Sequence, residues 1–399
     1  MVEEKEEIIE DNEKIETSKI ISEKPNEIMI SDIIQELTEK EKSEEKKEKL
    51  TEKEYEEDFE EILRLTSFGT ELRESLEKIS SGNAGALIVL ADLNKIKDVI
   101  LGGFKMNCKF SGEKLFELSK MDGAIVVDSH LKKIHFANVL LIPNPLTPSR
   151  ETGTRHQAAE RTAKQTGQLV IAVSQRTGTK TIYTKYFRYK LRAVADLLAR
   201  LQSVLDSLEE QKKIFSNLVN YLNILEFTDL VTAVHVISVL QKAEFIIRGN
   251  KLARRYLIEL GTDSQLLELR LKEIMKNVGE DFHNLLRDYG KKNPMNIRKE
   301  LDKINYDELL NFENIAKIFE FKSIEESLRS RGYRILSKIP SLNENQIRTI
   351  VKKYQSLKAI LEADMVDMKS IPEINESKVV GIKEELEKLK NSAMLSQTI

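Results

Sequence analysis

The sequence predicts an α/β protein: an N-terminal α/β domain, then a central helical spine or bundle, then a C-terminal helix-hairpin-helix domain. Three observations carry this. Between residues 84 and 184, apolar runs of strand length alternate with amphipathic segments, which is the pattern of a sheet layered with helices. From residue 190 a 3-4 apolar spacing is kept over many turns, as in long packed helices. Near the end, IPSLNENQI (339–347) recurs as IPEINESKV (371–379), and self-similarity at a fixed spacing marks a duplicated unit.

Residues 1–57 are rich in Glu, Lys, Ser and Asn. Such a segment has little apolar area to offset chain entropy, so an acidic low-complexity tail, disordered or transiently helical, is expected. Its apolar island, IMISDIIQEL (28–37), allows a second reading as a partner-binding helix from Ile28 to Leu37. The α/β domain is expected over 58–190. A helix from Phe59 to Ile79, broken near Ser67-Phe68-Gly69, leads into the strand AGALIVLA (84–91). Further strands are read in GAIVVD (123–128), KIHFANVLLI (133–142), QLVIAVS (168–174) and TIYT (181–184), with helices at 111–120 and 154–166. Unbroken apolar runs such as QLVIAVS describe strands buried on both faces. The spine is expected over 191–325, its first helix covering 190–225. In 326–399, each copy of the repeat carries an apolar residue and a proline into a tight turn and then a helix, a tandem helix-hairpin-helix.

The 399 residues are 40% hydrophobic and 32% charged, with a formal net charge of −3. No basic signature points to nucleic acid, so any such partner must meet a local positive surface. A single cysteine, Cys108, excludes an intramolecular disulfide and a thiolate metal cluster within one chain. No uncharged run is long enough to span a bilayer, and a cytoplasmic protein without membrane contact is expected. His130, His135, His235 and His283 lack a second ligand at a suitable spacing, so they read as structural.

The stretch ETGTRHQAAERTAKQTG (151–167) has two readings. Thr154 and Gln157 stand as a capping box, and Gly167 closes the helix. Arg155, however, opposes the positive end of the helix dipole unless an anion sits there, and Gly153 allows something to approach the backbone closely. The stretch is therefore either a capped surface helix or a phosphate site. MDGAIVVD (121–128) is similarly double. Asp122 before Gly123 and a strand is either a turn dipeptide or a hard ligand for Mg2+ or Mn2+ that also helps deprotonate a hydroxyl. Asp128 lies along the same strand at about 20 Å, too far to be a second ligand.

Taken in their order, GTELR, NAGALIVLAD, ILGGFK, LFELSKMDGAIVVD, FANVLLIPNP and ETGTRHQAAERTAKQTG resemble the diadenylate cyclase domain family. Its signatures are Asp-Gly-Ala and an Arg-His-Arg-type motif. Here they stand as Asp122-Gly123-Ala124 and Thr154-Arg155-His156. With the spine and hairpins, the resemblance extends over residues 60–390 to the DNA-integrity-scanning form of that family. It implies a mixed-sheet α/β domain that condenses two ATP into cyclic di-AMP with release of two pyrophosphates, using Mg2+ or Mn2+. It also implies an octamer with facing catalytic domains, and branched, Holliday-junction-like DNA bound by the last domain of a cytoplasmic, nucleoid-associated protein.

By the same resemblance, Asp122 would bind the metal and assist the 3′-hydroxyl, while Gly123 would let the nucleotide lie close. Thr154, Arg155 and His156 would hold phosphates, with Gln157 beside them. Leu141 would pack near adenine, Ser174 would reach the triphosphate from its strand end, and Arg176 lies in the loop behind it. The chain departs from the family at two points. Gln157 replaces a third basic residue, and the loop Gln175-Arg176-Thr177-Gly178 holds a single arginine. Each missing cation removes about 1–3 kcal/mol of charge-assisted contact, so reduced activity is expected. In the hairpins the DNA candidates are Lys338, Ser341, Asn343, Arg348, Asn375 and Lys378, with Lys352 and Lys353 as counter-charge. The turns lack glycine, and Glu373 puts a carboxylate where a phosphate would approach, so weakened DNA affinity, offset by multivalency in an oligomer, is expected. A second reading keeps DNA-junction binding as the function and leaves the cyclase domain weak or inactive, serving oligomerisation and nucleotide sensing.

Overall fold

The computed structural model describes residues 52–372 and 374–395. The expected tail up to residue 51, with its Ile28–Leu37 helix, and Glu373 lie outside the described residues. Helix α1 spans Glu52–Leu65, so it begins inside the segment expected as tail. Phe59 accounts for this: its ring meets Phe187 and Tyr189 edge-on, both at 5.2 Å between centroids, and Leu63 is fully buried. Gly69, at φ +87°, breaks the chain before α2 (Glu71–Ser81), whose N-cap is Thr70.

The sheet then assembles from β1 (Ala86–Leu90), β2 (Ile100–Leu101), β3 (Phe104–Lys109), β4 (Ala124–Val127), β5 (Lys133–Leu141), β6 (Leu169–Val173), β7 (Lys180–Tyr183) and β8 (Arg188–Leu191). Between these strands come α3 (Leu93–Ile96), α4 (Gly112–Leu118) and α5 (Thr154–Thr166). The strand order is β2-β5-β4-β1-β6-β7-β8, with β3 also pairing β5. The β1–β4 pair is parallel and its neighbours are antiparallel, so the sheet is mixed. Alternation along the strands builds two cores. Ile88, Ile125 and Ile171 meet Leu72, Leu76 and Leu115 of α2 and α4 on one face. Val89, Val126 and Ala172 meet Ala159 and Ala163 of α5 on the other.

The helices that follow are α6 (Val194–Thr228), α7 (Ala233–Leu260), α8 (Gln265–Met275), α9 (Val278–Tyr289), α10 (Pro294–Leu301), α11 (Tyr306–Leu310) and α12 (Phe312–Phe319). The last five are α13 (Tyr333–Leu336), α14 (Glu344–Tyr354), α15 (Leu357–Glu362), α16 (Met365–Lys369) and α17 (Glu376–Leu395). The repeat is physical. Ile339 and Ile371 are both buried, as are Ile347 and Val379, while Asn343 and Asn375 each accept a backbone N–H three residues on, at 2.9 and 3.0 Å.

Two compact units result. Among the described residues, one holds 52–202 together with Arg254–Glu268, and the other holds Ser203–Ala253 and the described residues from Leu269. The return of 254–268 to the α/β unit departs from the linear division expected from sequence. Glu259 explains it, because its carboxylate accepts from the Tyr189 hydroxyl and the Arg192 N–H and its carbonyl accepts from the Phe68 N–H.

Candidate nucleotide site

Three strand ends form the floor of the site. The β1–β4 pairing begins at Ile88 and Ile125, and Gly85 and Asp122 lie just before those two adjacent strands. Extending β1–β6 back from Ala86 and Val173 sets Gly85 opposite Ser174. Asp122, Gly85 and Ser174 thus stand at the neighbouring ends of β4, β1 and β6, which are adjacent in the sheet. Gly123, at φ +86°, follows Asp122, and a Cβ there would come within 2.9 Å of the Asn138 carbonyl carbon and the Val139 oxygen. Only glycine permits that approach of β4 to β5.

Helix α5 supplies the wall. Its N-cap is Gly153, in extended conformation (φ −85°, ψ 136°), with no side-chain cap. This corrects the expected Thr154–Gln157 capping box. Because Gly153 takes the cap position, Thr154 becomes the first helical residue, and the Gln157 side chain donates instead to the Glu151 carbonyl at 2.8 Å. The first N–H groups of the helix therefore have no side-chain cap, the arrangement in which a helix start can take an anion. The helix closes as expected on left-handed Gly167 (φ 68°). Its start is held by Glu160, whose carboxylate takes Ser149 Oγ at 2.6 Å, the Arg150 N–H at 3.0 Å and Lys164 Nζ at 2.7 Å. Burial opposes the charge on Glu160, but these donors hold the carboxyl below its ordinary value.

Arg155 reaches from α5 to the floor. A Cβ at Gly85 would overlap the Arg155 guanidinium, so the cation lies against the Gly85 backbone.

His156, half-buried, points its Nδ1 at the Tyr183 hydroxyl, 2.8 Å away. Tyr183 donates to Glu151 Oε1 at 2.8 Å, and Arg188 Nη1 donates to the same oxygen at 2.8 Å. Burial pushes the imidazole below its ordinary value; Glu151 opposes this, and Arg155, Lys190 and Arg188 add to it. Burial and the Glu151 carboxylate keep the Tyr183 phenol protonated. Tyr183, Glu151, Arg188 and Lys190 were missed from sequence. Tyr183 reads as a core residue of a strand, and β8 has too little apolar character to be seen.

Ser174 Oγ accepts the Thr177 N–H at 3.3 Å, which closes the β6–β7 turn and leaves its own proton available. The turn is tied to α2 by Ser80 Oγ, which donates to the Gly178 carbonyl at 2.9 Å. Arg176 is exposed at the tip. Leu141 departs from the expected adenine wall: it is 8% exposed and belongs to the α5-face core, because β2 covers that end of β5. Asp122, Arg155 and Arg176 form no ion pair among the described residues.

The hairpin candidates divide differently. Asn343 is spent on a reciprocal capping box with Gln346, and Asn375 on capping α17. Both were expected to meet DNA; their side-chain oxygens serve helix starts. Lys378 Nζ donates to Gln346 Oε1 at 3.3 Å, joining the two repeats, and Lys353 is held by Asp367. Arg348 is exposed but paired with Glu344 at 3.2 Å. Lys338 stands at a cavity of about 420 Å3 that Glu280 and Asp281 also line, and burial pushes its amine below the ordinary lysine value. Ser341 and Lys352 are exposed. His130, His135, His235 and His283 join no group of three metal-ligating side chains among the described residues.

A helix start without a side-chain cap, a glycine floor and charges of both signs on a mixed sheet suit a nucleotide-binding α/β domain. Comparison with known proteins agrees. Residues 73–186 match the family model of the DisA bacterial checkpoint controller nucleotide-binding region, and 191–328 match the DisA bacterial checkpoint controller linker region. The chain is 38% identical over 341 residues to the DNA integrity scanning protein DisA of Clostridium botulinum strain Loch Maree, covering 84% of this chain and 97% of that protein. It is 37% identical to its namesake in Clostridium tetani, covering 85% and 95%. A double mutant of DacA from Staphylococcus aureus aligns at 22% identity and a TM-score of 0.27, over 35% of this chain and 90% of that one. The chain belongs to the family of the DNA integrity scanning protein DisA. By enzyme class it is a diadenylate cyclase.

Proposed function

We propose that the protein condenses two ATP molecules into cyclic di-AMP and two pyrophosphates, with the α/β units of an octamer facing one another in pairs. What supports this reading is the Arg155 guanidinium lying on Gly85, at the start of β1, whose neighbours in the sheet are β4, which Asp122 precedes, and β6, which Ser174 follows. A carboxylate, a guanidinium and a hydroxyl at neighbouring strand ends suit the ribose and phosphates of one nucleotide. One such site can align one attack, while a two-fold symmetric product needs two, which is the reason for facing copies. In each half-reaction a 3′-oxygen bonds to the α-phosphorus of the opposite ATP, the bond to pyrophosphate breaks, and the hydroxyl proton passes to Asp122 or water.

In this reading Thr154, Arg155 and the N–H groups of α5 bind the phosphates, and Ser174 donates from the floor. Asp122 is exposed and unpaired among the described residues. One carboxylate with substrate phosphates and water is a donor set that suits Mg2+ or Mn2+. Such an ion, when bound, supplies positive charge to the phosphates. Gln157, held by the Glu151 carbonyl, adds no charge, which supports a slow enzyme and also favours the second reading, a DNA-junction binder with a weak cyclase domain.

We read the two repeats as helix-hairpin-helix modules that bind branched DNA through the exposed starts of α14 and α17 and modulate the enzyme. The test is incubation of the protein with ATP and Mg2+ or Mn2+, followed by chromatography for cyclic di-AMP. Loss of the carboxylate in Asp122→Asn is expected to lower the rate by about a hundredfold or more. Equal traces from parent and variant would establish the second reading.

A further inference from the structure

The hydrogen bonds around His156 fix which of its nitrogens carries a proton. Glu151 is an acceptor pinned by Arg188, so the Tyr183 proton lies toward Glu151. The Tyr183 oxygen is then left to accept, and its neighbour is His156 Nδ1 at 2.8 Å. The Nδ1–H form follows, and in a neutral ring it leaves Nε2 a bare acceptor. The Nε2 edge lies at the mouth of α5, where the position of a Cβ on Gly153 is 3.9 Å from His156 Cδ2. A bare acceptor there opposes a phosphate oxygen, whereas a protonated Nε2 donates to it.

We propose that Tyr183 and Glu151 are positioning residues that aim His156 Nε2 at the bound phosphates and stabilise the ring as it takes up a second proton when they arrive. The proposal rests on the ATP reading of this site. The charged and titratable groups facing the ring are Arg155 on its own helix, Glu151 before the helix, Tyr183 on β7, and Arg188 and Lys190 on β8. In the free protein burial, opposed by Glu151 and reinforced by the three cations, favours the neutral ring. The charge of a triphosphate reverses that balance. The sign follows: as pH rises through the value of the nucleotide-bound ring, its second proton is lost and KM for ATP rises.

The test uses the full chain. Binding of 3′-deoxy-ATP, which lacks the attacking hydroxyl, is measured with Mg2+ at pH 7.5 by calorimetry in two buffers of different ionisation heat. Uptake of about one proton is expected. In Tyr183→Phe, which keeps the ring but not the hydroxyl, uptake falls. KM for ATP at pH 8 is expected to rise about tenfold, with kcat within about threefold. The rise of KM with pH begins at lower pH than in the parent, since the imidazolium has lost its acceptor. Glu151→Gln shifts the profile the same way by less, and it decides the matter if Tyr183→Phe does not fold. A parent that binds the analogue without proton uptake, or a folded variant with the parental pH profile, overturns the proposal. Proton uptake with no cyclic di-AMP formed sinks the cyclase reading alone, and absence of analogue binding sinks both.

Discussion

Gly85 shows how one residue without a side chain can organise a site. The Arg155 guanidinium occupies the space where its Cβ would stand, so substitution displaces the cation without touching the strand. The obstacle is the far end of a flexible side chain, so the fold should survive. For Gly85→Ala we expect KM for ATP to rise about tenfold, the cost of a weakened charged hydrogen bond, with the thermal midpoint within about 2 °C of the parent. Steady-state kinetics and a thermal melt check both. An unchanged KM would mean that Arg155 does not meet the nucleotide from this position. Gly123 is different in kind, because there the obstacle is the backbone of β5. Neither role was legible in the sequence: Gly-Ala before an apolar run reads as a strand entrance, and what lies above it is 70 residues away in the chain.

At the scale of elements, α13 has only four residues, too few to be stable alone. Its partners hold it. Arg334, fully buried, donates to Glu226 Oε2 at 2.6 Å and Asn223 Oδ1 at 2.7 Å, while Tyr289 donates to Glu226 Oε1 at 2.6 Å. Asp288 accepts the N–H groups of Tyr333 and Arg334. Arg334 Nε is buried without a partner, so the network is incompletely satisfied even when intact. Removing the cation strands the Glu226 carboxylate, and Arg334→Met should cost about 3–5 kcal/mol. A urea titration followed by circular dichroism would show it as a lower midpoint, and an unchanged midpoint would refute the role. The elements themselves were readable where apolar runs marked them, as in β1, β4 and β6. β3 escaped because most of its residues are exposed, and β8 because it is only four residues long with two charged ones.

Across the whole molecule, the net charge of −3 gives no general attraction for DNA, so binding must come from a few local cations. Several expected ones are engaged internally: Lys378 with Gln346, Lys353 with Asp367 and Arg348 with Glu344. Lys352 is exposed and forms no ion pair among the described residues. In a filter-binding titration of a four-way junction across salt concentrations, Lys352→Ala should reduce the slope of log K against log salt by about 0.9. A slope equal to the parent's would exclude Lys352 from the phosphate contacts. Oligomerisation multiplies whatever affinity remains.

The sequence by itself determined the alternation of strands and helices, the helical character after residue 190, the thirty-two-residue repeat and the two signatures around Asp122 and Arg155. These are periodic or contiguous patterns, and local propensity and side-chain alternation write them directly into the chain. Tertiary structure alone decided that β4, β1 and β6 adjoin, that Gly153 rather than Thr154 caps α5, and that Glu151, Tyr183 and His156 form one line of hydrogen bonds. Strand register and the docking of a helix over it depend on contacts between distant segments, and no local pattern encodes which of several compatible partners will meet.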